Sequence, residues 1–163
     1  MIDSSKSAET TIRPSAPLWR RIAAMVYDSF LLFALALGYT AFHLFIKAQL
    51  FGTARIRAAH AGAAGDIFLF FGVVVCIMLF FYWFWTRNGQ TLGMQSWRLR
   101  VEQPDGRNIT ARQALLRLLA APLSLACLGV GYLWCLSGNK QCWHDIISGT
   151  RTVVLPKQTL PKK

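Results

Sequence analysis

The chain has 163 residues, enough for one small domain. It is 54% apolar and 15% charged, with the charge clustered between apolar runs, which fits an integral membrane protein better than a water-soluble one. The formal net charge is +11, but the basic residues flank apolar runs and form no reader motif, so they indicate cytoplasmic flanks facing anionic lipid and exclude nucleic acid as the partner.

Residues 1–18 hold Ser, Thr, Pro14 and Pro17 and read as a flexible polar tail. Residues 22–46 follow as a first apolar span. That span is too long for a signal-peptide core and reads as an uncleaved anchor. Its only formal charge is Asp28, and a carboxylate at such depth costs roughly 2.5–3.5 kcal/mol on insertion scales. Arg21 lies seven residues earlier, on nearly the same helical face but about 10 Å away along the axis. Arg21 must therefore reach inward, or a residue from another helix must come to Asp28. His43 lies near the far end of the span. Residues 47–66 form a polar connector, with a short surface helix expected over Arg55–Ala64.

A second span covers residues 67–86 and carries no charge. Tyr82, Trp83 and Trp85 at its end read as an interfacial aromatic belt. In the basic stretch 87–112, Thr91-Leu92-Gly93 reads as a turn into a strand. The alternation over Trp97–Glu102 is the strand signal, and Pro104-Asp105-Gly106 is a turn. Asn108–Thr110 reads as a short returning strand, with Thr110 able to cap the helix that follows.

The third apolar region, 113–136, contains Arg117, Pro122 and many small residues, which suit close packing against the first span. Pro122 predicts a kink or break. Beyond it, a short helix is expected over Trp143–Ser148, stopped by Gly149, and a strand over Thr150–Leu155. Residues 156–163 form a basic tail. The four cysteines include no C-x-x-C pair, indicate neither a disulfide framework nor a zinc site, and read as apolar filler.

The fold class is thus an all-α transmembrane protein with three apolar segments and a small cytoplasmic β-hairpin element, its main domain running over 19–155. Positive-inside bias puts the N-terminus in the cytoplasm of a multi-pass inner-membrane protein. If the third region crosses once, the C-terminal strand is on the wrong side to pair with Trp97–Glu102. A re-entrant or broken hairpin near Pro122 removes that conflict. Both arrangements stay open.

Several of these residues together resemble a known family. They are Arg21 with Asp28, Thr91-Leu92-Gly93, the strand-like Trp97–Val101, Asp105-Gly106-Arg107, Arg117, and His144-Asp145 followed by Gly149-Thr150. The pattern is similar to that of the RDD family of small membrane proteins, named for one arginine and two aspartates, and it covers roughly residues 17–155. The resemblance implies that Arg21, Asp28 and Asp145 occupy the named positions. It also implies a range of roles, from binding or moving small ligands or ions, sodium–proton exchange included, to service as an accessory subunit.

Two functional readings follow. In the first, Arg21 or Arg117 pairs with Asp28, and Asp145 pairs with a loop arginine or caps a helix. The set then locks the helices of a structural or accessory subunit. In the second, Asp28 binds a monovalent cation or carries a proton, with His144-Asp145 at the cytoplasmic end of a relay and His43 at the exit. Neither reading calls for a cofactor or a metal. Catalysis is not expected, because there is no nucleophile motif or phosphate loop. The expected partners are the lipid bilayer and either further copies of the chain or another membrane protein.

Overall fold

The computed structural model describes residues 13–52, 66–127, 130–136 and 141–156. The surface helix expected at 55–64 lies outside them, as do the first twelve residues and the end of the basic tail.

The first span is one helix, α1, over Leu18–Phe51. The second, α2, is Ile67–Asn88, capped by Asp66, whose side chain accepts from the Phe68 and Leu69 amides. Both helices are long and apolar enough to cross a membrane, and their most apolar stretches are not buried inside the protein. Phe30, Phe33, Phe42 and Phe68 are each exposed by more than half. A core helix of a soluble protein does not present such a surface. On α1 only Arg21, Ala24 and Asp28 are buried, at i, i+3 and i+7. That narrow stripe faces the rest of the protein.

A five-residue helix, α3 (Leu92–Ser96), returns to α1 after the glycine that ends α2. So Thr91-Leu92-Gly93 begins a helix and is not a turn into a strand. Thr91 is its N-cap and accepts from the Met94 amide. Gly93 sets the approach: a Cβ there would lie 2.8 Å from the Asp28 carboxylate carbon and closer still to the Ala24 carbonyl. Only glycine lets the two backbones meet.

Strand β1 (Leu99–Glu102) pairs antiparallel with β2 (Arg151–Val154), in the register Leu99↔Val154 to Glu102↔Arg151. The ladder joins distant parts of the chain and is not a hairpin, because residues 108–110 form no strand. Thr110 instead caps the next helix in a reciprocal capping box with Gln113. On the other edge of β2, the Ala16 amide donates to the Thr152 carbonyl and the Val154 amide to the Pro14 carbonyl. Residues 13–17, expected in a flexible tail, are therefore part of the fold.

Helix α4 (Ala111–Ala126) runs through Pro122 without a break. Its packing against α2 and a later helix, more than against α1, holds it in place, and the Ser124 hydroxyl donates to the Ala120 carbonyl nearby. The interruption comes after Ala126. Helix α5 (Val130–Leu133) lies back against α4, with a Cβ at Gly131 placed only 2.6 Å from that of Ser124. A 3-10 turn over Trp134–Leu136 follows. Helix α6 (Trp143–Ser148) ends at Gly149, which is left-handed with φ 61°. It packs most extensively on α4. Leu99, Val101, Trp85, Met94, Ala114 and Leu118 form the core between the ladder and the inner ends of the helices.

Gly93→Ala is expected to destabilise the folded protein by about 1–3 kcal/mol, the usual range for overpacking. Gly38→Ala, which meets nothing within 4 Å, is expected to be neutral or mildly stabilising. Unfolding midpoints in detergent check both.

Candidate functional site

The buried stripe of α1 points two charges at two different partners. Among the described residues, Asp28 pairs with no arginine. Its Oδ2 accepts from the Thr91 hydroxyl at 2.5 Å and its Oδ1 from the Gly93 amide at 2.9 Å. The carboxylate thus sits on free N–H and O–H donors at the start of α3, where a helix favours negative charge.

Arg21 goes instead to Asp145. Its Nη1 donates to Asp145 Oδ2 at 2.5 Å, and its Nε donates to the Ala16 carbonyl at 3.1 Å. Arg117, from α4, donates through Nη1 to Asp145 Oδ1 at 2.5 Å and to the Thr150 hydroxyl at 2.6 Å. Thr152 adds a hydroxyl donor at 3.1 Å, and the Cys142 amide donates to Oδ2 at 3.4 Å. Every member is buried: Arg21 is 6% exposed, Arg117 3% and Asp145 0%. One carboxylate therefore ties α1, α4, α6 and β2 together. Asp145 does cap its own helix, as expected, but its arginines come from helices and not from a loop.

The electrostatics follow from that packing. Burial opposes ionisation of Asp145, but the charges of Arg117 and Arg21 outweigh it and hold the carboxyl below the usual range. Burial pushes His144 down to about 3, with Arg117 acting in the same direction, so its ring is neutral at neutral pH. Burial likewise pushes the Cys142 thiol up to about 12, so it is protonated. Cys142, His144 and Asp145 offer ligand atoms within 4.8 Å of one another. The group does not suit a metal ion. Both Asp145 oxygens are already held by buried guanidinium groups, which a cation would have to displace.

A cavity of about 560 Å³ adjoins both carboxylate clusters, and Arg21, Asp28, Arg117 and His144 all line it. The structure thus brings four of the five expected site residues to one space. The fifth, Asp145, lies immediately behind them. His43 is elsewhere: with Lys47 it binds Asp66, at 2.9 and 2.5 Å, tying the far ends of the two spans together.

The RDD family model matches residues 15–149, a stretch containing Arg21, Asp28, Arg117 and Asp145. The chain belongs to the RDD family. No curated protein and no solved structure matches it. In this RDD protein the arginine pairs with the second aspartate and not with the first, which is nearer to it in the sequence.

Three participants were not legible in the sequence. Glu102, fully buried, pairs with Arg13 and with Arg151 at 2.8 Å, the latter its cross-strand neighbour. The opposite charges at facing strand positions are the signal for that pair. Trp85, read as part of an interfacial belt, is buried with the Arg117 guanidinium 5.1 Å from its ring centre. Thr91 carries no sequence signal beyond its capping role.

Asp145→Asn is expected to destabilise the fold by about 3–5 kcal/mol, because it leaves two buried guanidinium groups without their counter-ion. Asp28→Asn keeps hydrogen-bonding capacity and is expected to lose less, about 1.5–3 kcal/mol. A third expectation concerns pH. His144 titrates lower in the fold than in the unfolded chain, so its neutral form contributes stability above pH 6.5 that is lost as pH falls toward about 3. His144→Gln should flatten the fall of the unfolding midpoint between those values.

Proposed function

We propose that this RDD membrane protein is a structural or accessory subunit, whose buried Arg21–Asp145–Arg117 set holds the membrane helices onto the β ladder. One observation carries the reading: both carboxylates open to a cation-binding role are already engaged on each oxygen by donors of the protein itself. Asp145 has an arginine on each oxygen, and Asp28 has a hydroxyl and an amide. A cation at Asp145 would have to displace a buried guanidinium group, leaving that charge uncompensated.

The ladder also constrains topology. Residues 14–16, β1 and β2 share hydrogen bonds and so lie on one side of the membrane. With α1 and α2 as the two crossings, the chain between β1 and β2 crosses an even number of times. Helix α4 has 16 residues, fewer than the roughly 20 that a spanning helix needs, and the chain doubles back after it. This supports a re-entrant third segment with residues 14–16 and β2 on one side of the membrane, and the positive-inside bias favours the cytoplasm of a multi-pass inner-membrane protein as that side. The exposed aromatic and aliphatic faces of α1 and α2 suit lipid and a neighbouring membrane protein or second copy.

The second reading, ion-coupled transport through Asp28, is favoured by the position of that residue on the cavity wall. Cation–proton exchange in sealed vesicles separates the two. The expected result is no exchange above protein-free vesicles for sodium or potassium, in wild type or Asp28→Asn at matched abundance. Exchange in wild type that is lost in the variant would establish transport instead. Tags on the two termini should be accessible from the same side.

A further inference from the structure

Helices α1 and α4 each pack on α2 but scarcely on each other. The cavity of about 560 Å³ lies between them and is lined from all three. Its back wall is one face of α2, running from Trp85 through Phe81 and Met78 to Val74. These residues recur at helical spacing, and from Val74 to Trp85 the wall covers about 16 Å at 1.5 Å per residue. That is about half the thickness of the hydrocarbon core, the depth of one leaflet. The lips of the cavity are apolar too. Met25 on α1 and Leu119 on α4 line it yet are 42% and 60% exposed, and Pro122, one turn beyond Leu119, is also exposed. Met25 lies seven residues after Leu18, about 10 Å along the axis from the start of α1. The cavity therefore opens sideways, between two helices, where lipid surrounds α1.

The inner end holds charge but no excess of it. Arg21, Arg117 and Asp28 line it and Asp145 lies immediately behind, two cations against two anions. Both carboxylates are engaged by donors within the protein. An ionic occupant would lose its hydration there and meet no net countercharge. An apolar occupant loses nothing and gains the contacts that an unfilled apolar wall lacks. The volume separates a lipid chain from a piece of protein. A helix is about 10 Å across, so 16 Å of it would take up about 1,300 Å³, more than twice the space present.

We infer that this cleft seats one acyl chain of a phospholipid from the surrounding bilayer, the chain lying along Phe81, Met78 and Val74 and the head group remaining outside. The inference rests on the membrane placement of α1 and α2 and not on the accessory role, because lipid retention and ion exchange are read by different assays.

The test is native mass spectrometry of the purified full chain, released from non-ionic detergent after reconstitution with phosphatidylcholine, which has no net charge. Wild type is expected to retain a single dipalmitoyl lipid per chain. Dihexanoyl phosphatidylcholine should be retained at least about tenfold less, because its chains cover little of the wall. Val74→Phe and, separately, Ala121→Leu fill the cavity from opposite helices, and each should lower retention about tenfold or more. Val75→Phe, one residue away on an exposed face, should leave retention unchanged. No retained lipid in wild type, equal retention of short and long chains, or undiminished retention in a folded Val74→Phe or Ala121→Leu protein would each overturn the inference. So would a wild-type dimer that either filling variant dissociates, which would assign the cleft to a second copy. If neither filling variant folds, the chain-length comparison on wild type decides alone.

Discussion

One buried carboxylate, Asp145, accepts from two buried arginines that arrive on different helices, and the rest of the structure is arranged around that constraint. Neither arginine is stable in the interior alone, and neither is Asp145. Arg21 must enter from the start of α1, Arg117 from the first half of α4, and Asp145 from the first turn of α6. Thr150 and Thr152, at and just before β2, fill the remaining donor and acceptor positions. A buried ion set of this kind is a poor source of net stability compared with apolar packing, but it penalises every arrangement in which one member is missing. Its effect is to specify which helix ends meet.

Asp28 performs a second, separate version of the same task. It fixes α3 against α1 by accepting from the two donors at that helix's start, and Gly93 removes the side chain that would keep them apart. Since α3 directly precedes β1, this contact positions the strand that β2 must find. The two clusters flank one cavity, so the groups that hold the fold together also define its polar end. Outside this inner end, α1 and α2 carry large apolar side chains on open faces, consistent with lipid as the solvent there.

Much of the architecture was legible from periodicity and punctuation. The two spans, the capping role of Thr110, the helix from Trp143 to Ser148 with its Gly149 stop, and the two strand segments all follow from local rules. Asp28 and Arg117 could be picked out because charge in an apolar setting is expensive, whereas His144 and Asp145 lie outside the apolar runs and are marked by the resemblance to the family. Their pairing could not. Seven-residue spacing correctly placed Arg21 and Asp28 on one face, but a shared face does not fix a shared partner. Asp145 and Thr91 lie far away in sequence, and only the tertiary path brings them in. Pro122 marked the neighbourhood but not the place of the interruption, which comes after Ala126. Its intrinsic cost, about 3 kcal/mol in a helix interior, is absorbed where neighbouring elements hold the helix. The participation of residues 13–17 was hidden because edge pairing uses backbone groups, which leave little trace in side-chain composition.

The most direct measurement compares the unfolding midpoint in detergent of Asp145→Leu with that of the triple variant Arg21→Met, Arg117→Met, Asp145→Leu. If the three residues act as one mutually compensating set, the single variant falls well below wild type and the triple variant recovers a substantial part of the loss, because no buried charge is left unpaired. A single variant as stable as wild type, or a triple variant less stable than the single one, would contradict the central place given to Asp145.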